Sequence, residues 1–119
     1  MDFRKIGVWA ATIFVGLLFL MNGFTKIMQA AAWQERFVTQ WGLPAWMVPL
    51  TGLAELAGGA LILFPRTAMY GGSIIAAVML GAAGTHLMAG EYANIAVNAL
   101  FGGLAAFVAW FRCPWRAST

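Results

Sequence analysis

The sequence predicts an all-α polytopic membrane protein. Four transmembrane helices form one domain over residues 1–119, with a short interfacial helix between the first two spans. Three observations predict this class. The 119-residue chain is 62% hydrophobic and only 9% charged, against roughly 25% charged in an ordinary soluble domain. A chain this short exposes much of its surface, and 7 basic with 4 acidic residues cannot cover that surface in water. Four apolar stretches, residues 6–25, 46–64, 68–88 and 92–111, match the roughly 20 residues that a helix needs to cross a bilayer.

The first stretch contains no charge and follows Arg4 and Lys5. Its apolar core exceeds the roughly 7–15 residues of a signal-peptide core, so it is expected to remain as a span. In the connection after it, Trp33, Phe37 and Trp41 recur at i, i+4 and i+8, with Gln34, Glu35, Thr39 and Gln40 on other faces. That pattern predicts an amphipathic helix over about residues 29–41, lying on the membrane surface or packing over the end of the bundle. Gly42 and Pro44 separate it from the second span. Pro49 falls in that span's first turn, where a missing N–H costs little. Pro65 ends the second span, and Thr67 is placed to cap the third. Ala89, Gly90 and Glu91 form a short turn before the fourth, which Pro114 follows.

An even number of spans puts both termini on one side. Arg4, Lys5, Arg66, Arg112 and Arg116 fall on that side, and Lys26 and Arg36 on the other. The bias predicts cytoplasmic termini in a bacterial-type inner (plasma) membrane, with tryptophans at both interfaces. These bases form no run, so the net charge of +3 does not indicate a nucleic-acid partner. The lone Cys113 allows no intramolecular disulfide and no CxxC redox motif. One His and one Cys make a poor metal site. Glycines within the spans are read as sites of close helix approach.

Glu55 is the most informative residue. It lies nine residues into its span, about 14 Å deep at 1.5 Å per residue. A carboxylate at that depth is costly unless paired or protonated, so it should face the bundle interior. Asn22 and Lys26 share a face of the first helix. Thr85 and His86 stand near the outer end of the third, and Asn94 and Asn98 share a face of the fourth. All fall in the outer half of the bundle, whereas the inner half is almost purely apolar. The asymmetry predicts a polar pocket opening outward, with Glu55 at its floor and Lys26 or His86 as its partner. Glu55, Lys26, His86, Asn22, Asn98 and Thr85 are the candidate ligand-binding residues. No nucleophile stands beside a base, so the sequence holds no self-sufficient catalytic constellation. Glu, His and Lys can transfer protons or hydrogen-bond a carbonyl. No cofactor is fixed by these residues; a quinone headgroup suits them, and so does a cation or small amphiphile against Glu55.

Several elements resemble the DoxX-like membrane proteins. They are Asn22-Gly23-Phe24-Thr25-Lys26, then Gly42-Leu43-Pro44 through Pro49, and above all Gly52-Leu53-Ala54-Glu55-Leu56-Ala57-Gly58-Gly59 followed by Leu63, Pro65 and Arg66. Met79, Gly81-Ala82 and Thr85-His86 add to them, so the resemblance covers nearly the whole chain. It implies a four-helix membrane fold, with Glu55, Lys26 and His86 at recurring polar positions. One branch of that family forms the membrane subunit of thiosulfate:quinone oxidoreductase, and others associate with thiol-stress defence. A distant animal relative is a receptor-assembly chaperone. The resemblance therefore implies a redox-associated subunit that binds a quinone or other small hydrophobic ligand, as the membrane part of an oxidoreductase complex. The expected partners are the lipid bilayer and a redox protein or further copies of the chain. Two alternatives remain. One is a small proton-coupled transporter, by similarity to small multidrug-resistance proteins, whose essential Glu lies in the first span. The other is a non-catalytic assembly or chaperone subunit.

Overall fold

The computed structural model describes residues 3–113, all helical apart from turns and connections. The expectations for Pro114, Trp115 and Arg116 lie outside the described residues. The elements are α1 (Phe3–Met28), α2 (Ala30–Glu35) continuing into a π-helical turn (Arg36–Gln40), α3 (Met47–Ile62), α4 (Ala68–Met88) and α5 (Tyr92–Phe111). The third and fourth predicted stretches coincide with α4 and α5. Among the described residues three helices, α1, α4 and α5, are long and apolar enough to cross a membrane.

The second predicted stretch differs. Helix α3 holds 16 residues rather than the 19 of the stretch 46–64, about 24 Å at 1.5 Å per residue. A turn at Ala45–Trp46 precedes it, and Leu63 and Phe64 turn out of it before Pro65. Helix α1 instead runs past its predicted end to Met28.

Helices α1, α3, α4 and α5 run up and down. Helix α4 packs most extensively against α5, α1 against α3, and α3 against α4, while α1 and α5 meet sparsely. The start of α1, the end of α5 and the α3–α4 connection share one end, called here the terminal end. Helix α2 and the α4–α5 turn share the other, the distal end.

Glycines set the close approaches. A Cβ on Gly59 would lie 2.9 Å from the Gly16 carbonyl oxygen and 2.9 Å from the Leu20 nitrogen across the α1–α3 seam. A Cβ on Gly71 would collide with the Ile62 nitrogen across the α3–α4 seam. Beside these seams lies a closed core containing Val15, Phe19, Ile62, Ile75, Ala105 and Val108.

The connections have local causes. Gly42 adopts φ 67°, and the following Leu43 N–H reaches the Phe37 carbonyl at 2.7 Å. Gly90 adopts φ 77°. Around it the Gly90 N–H bonds Leu87 O at 3.2 Å and the Glu91 N–H bonds His86 O at 2.8 Å, the paired bonds of a Schellman motif. Thr67 precedes α4 as expected, but its hydroxyl does not cap that helix. It donates to Leu61 O at 2.7 Å and so closes the end of α3 instead. The carbonyls of a helix's last turn lack intrahelical partners, and Leu61 is one of them.

Candidate functional site

A cavity of about 690 Å3 occupies the distal half of the bundle. All six sequence-predicted site residues line it: Glu55, Lys26, His86, Asn22, Asn98 and Thr85. Asn94 lines it as well. That volume falls within the roughly 300–1,000 Å3 of ordinary small-molecule sites.

Glu55 is 1% exposed, on the face of α3 turned into the bundle. Lys26, from the last turn of α1, forms an ion pair with its Oε1. Gly23 and Gly52 make that reach possible. A Cβ on Gly23 would lie 2.6 Å from Gly52 O, so the two backbones nearly touch one turn from the pair. The Lys26 ammonium also lies 4.9 Å from the centre of the Trp33 ring. Two charges taken out of water are tolerated when they meet each other in good geometry.

His86 does not pair with Glu55. Its Nδ1 lies 2.8 Å from Glu91 Oε1. The Schellman turn brings Glu91 back over the last turn of α4, so this contact is local in sequence. A carboxylate only accepts, so Nδ1 carries the proton. Glu91 also accepts Trp41 Nε1–H at 2.8 Å and Gln40 Nε2–H at 2.6 Å. The bonds from His86 and Trp41, the two largest influences, hold the Glu91 carboxyl below the usual 4.5. Glu91 thus ties the segment after α1 to the α4–α5 turn. Sequence reasoning missed it as more than a turn residue. The signal available was a carboxylate directly after Gly90, five residues beyond the histidine.

Trp33, Phe37 and Trp41 form one aromatic roof over the cavity. Phe37 is buried, its ring is 5.2 Å from that of Trp41, and Trp41 meets His86 edge-on at 5.5 Å. The stripe turns inward because the helix changes pitch at Arg36. A π turn closes i→i+5 bonds and winds more loosely than an α turn. Trp41 therefore falls back into line with Phe37 instead of advancing around the axis. Of the tryptophans at this end, Trp46 stands exposed, while Trp33 and Trp41 are turned over the cavity.

The remaining polar residues divide by how their hydrogen bonds are used. The Thr85 hydroxyl donates to Gly81 O at 3.0 Å, within its own helix. Asn98 is 8% exposed, and its Nδ2 is buried without a hydrogen-bond partner. A buried amide donor left unpaired is costly, so this group is the clearest opening for a ligand acceptor. Phe19 and Phe101, whose rings meet edge-on at 6.2 Å, also line the cavity. Among the described residues no three of His, Cys, Asp and Glu come together as a metal site.

The profile of the DoxX-like family matches residues 5–108, so the chain belongs to that family and is a membrane protein. The inner membrane protein YqjF of Escherichia coli (strain K12) is 39% identical over 61 residues, 51% of this chain and 46% of that protein. The match therefore spans about half of each. No solved structure matches the chain.

Proposed function

We propose that this DoxX-like membrane protein binds a small amphiphile with a planar, carbonyl-bearing headgroup, of the quinone class, in the distal cavity. It would serve as the membrane subunit of a redox system. The observation that carries the reading is the buried Asn98 Nδ2 without a partner, in a cavity that also holds the Lys26–Glu55 pair. An ammonium and an amide supply donors for carbonyl oxygens. The rings of Phe19, Phe101 and Trp41 supply flat apolar walls, against which planar groups stack or meet edge-on. The lack of a nucleophile beside a base argues for binding and proton exchange rather than bond cleavage.

The same reading counts α3 as a fourth, short span. Its packing against α1 and α4, with the Glu55 face buried, supports a place for it within the layer they cross. The bases at the terminal end support cytoplasmic termini by the positive-inside rule, with the cavity opening on the other side. Helix α2 with its π turn then lies at that far surface, as a roof more than as a membrane-bound helix. The printed name of the Escherichia coli relative supports an inner-membrane location.

The test is equilibrium binding of a water-soluble benzoquinone to the protein in lipid nanodiscs. Asn98→Leu, Lys26→Ala and Glu55→Gln variants are measured alongside. We expect weaker binding in all three. Unchanged affinity in folded Asn98→Leu and Lys26→Ala proteins would place the ligand elsewhere.

A further inference from the structure

We infer that the cavity selects the reduced, hydroxyl-bearing form of its headgroup, with His86 Nε2 accepting a hydrogen bond from the hydroxyl and Glu91 holding the imidazole in the tautomer that allows it. The inference rests on the reading above, that the cavity takes a ring of the quinone class.

His86 is the single histidine of the chain and lines the cavity. Its Nδ1 is committed to Glu91 Oε1 at 2.8 Å. A neutral imidazole carries one proton, so a proton on Nδ1 leaves Nε2 as an acceptor. Among the described residues Nε2 has no hydrogen-bond partner, and unlike Asn98 Nδ2 it is open to a water-sized molecule. Glu91 is itself fixed, since it accepts from Trp41 Nε1 and Gln40 Nε2. Its carboxylate cannot swing away from His86 without undoing the roof. Glu91 is therefore a positioning residue: it decides which ring nitrogen keeps the lone pair.

The cavity thus offers an unused donor on α5, Asn98 Nδ2, and an unused acceptor on α4, His86 Nε2. A carbonyl oxygen only accepts, whereas a hydroxyl donates and accepts. A quinone satisfies Asn98 and leaves Nε2 bare; the hydroquinone satisfies both. The spacing agrees. His86 lies two residues before the last residue of α4, and Asn98 six after the first residue of α5. At 1.5 Å per residue the two stand about 6 Å apart along the bundle, comparable to the separation of the oxygens in a 1,4-dihydroxybenzene. The inner oxygen accepts from Asn98 Nδ2, and the outer hydroxyl donates to His86 Nε2 beside the edge-on ring of Trp41.

Binding to the protein in nanodiscs tests this, measured without oxygen and at mildly alkaline pH, where an ordinary imidazole is neutral. Three probes share one ring: a dimethoxy-methyl-benzoquinone, its hydroquinone, and the dimethyl ether of that hydroquinone, which accepts hydrogen bonds but donates none. The variants are His86→Phe, which keeps a flat ring beside Trp41, and Glu91→Gln, with circular dichroism to check both folds. We expect the unsubstituted protein to bind the hydroquinone about tenfold more tightly than the quinone or the ether, the worth of one hydrogen bond. His86→Phe should abolish that preference, and Glu91→Gln should reduce it. A loosened roof weakens all three probes alike, so the ratio of affinities reads the role of the pair. With one histidine in the chain, its ring nitrogen-15 shifts report the tautomer directly. They should show an Nδ1–H ring in the unsubstituted protein and a mixture in Glu91→Gln. Equal affinity of the unsubstituted protein for quinone and hydroquinone, or a preference that survives in folded His86→Phe, would overturn the inference and leave the headgroup site standing. So would a ring protonated on Nε2 alone. An unchanged tautomer and ratio in Glu91→Gln would overturn the role given to Glu91. If none of the three probes binds, the headgroup reading itself fails and this inference falls with it.

Discussion

The two ends of the bundle solve the same problem in opposite ways. Towards the terminal end, polar groups are used up locally and helices meet backbone to backbone. Thr12, 2% exposed, donates to Val8 O at 2.6 Å, and Ser73 donates to Met69 O at 2.7 Å, each within its own helix. Glycines at 16, 59 and 71 let the helix backbones approach closely. At the distal end, polar groups bond across elements. Lys26 reaches from α1 to α3, and Trp41 and Gln40 reach from the roof to Glu91. The space between them is a cavity. The difference shows how a small bundle holds a site: one half is closed by apolar packing, and the other surrounds its cavity with a few directed contacts between elements. In lipid, where no hydrophobic force drives helices together, packing and polar contacts carry that work.

The sharpest way to break this arrangement is to unpair the buried ions. Lys26→Met should destabilise the bundle by about 3–5 kcal/mol, because it leaves the Glu55 carboxylate buried alone. Adding Glu55→Leu should recover most of that loss. Unfolding titrations in mixed micelles measure both, and a double variant no better than the single one would refute the pairing. Next comes the close-packed half. Gly71→Ala should cost about 2–3 kcal/mol, because its Cβ meets the backbone of Ile62 rather than a side chain that can swing away.

A smaller effect is expected at the roof. Because Glu91 is held below the usual 4.5, its contribution is fully present above that value and is lost as pH falls through its lowered value. Hydrogen-exchange protection factors across residues 33–41, which correct for the slower intrinsic exchange at low pH, should therefore fall on acidification, while amides in the core of α4 stay protected. Glu91→Gln should bring the roof to the fast-exchanging state already at neutral pH. Equal exchange in the roof and the α4 core at all pH values would remove the distinction between the two halves. The smallest effect is expected at Gly103, which faces open space. Gly103→Ala should stabilise the protein by about 0.5–1 kcal/mol in the same titration.

Much of this was legible in the chain. Charge-free runs at full span length read directly as helices, and α4 and α5 begin and end where the apolar runs do. Glu55, Lys26, Asn22, His86, Thr85 and Asn98 were selected because polar groups are expensive in apolar helices, and all six line one cavity. Less legible were the partners. Glu55 had two candidates, and choosing between them depends on the Gly23–Gly52 approach of α1 and α3. The inward turn of Trp33, Phe37 and Trp41 depends on a change of helical pitch that an i, i+4, i+8 pattern does not reveal.

Composition and spacing alone therefore determined the all-helical membrane class and singled out six polar side chains that line one cavity, since each follows from the cost of placing one residue type in an apolar medium. Tertiary structure decided who bonds whom. It gave Glu55 to Lys26 and His86 to Glu91, and it left Asn98 Nδ2 with none. Those assignments turn on distances of a few ångströms between helices. Such distances are set by how closely glycine lets two backbones approach, a property of pairs of segments that no single segment carries.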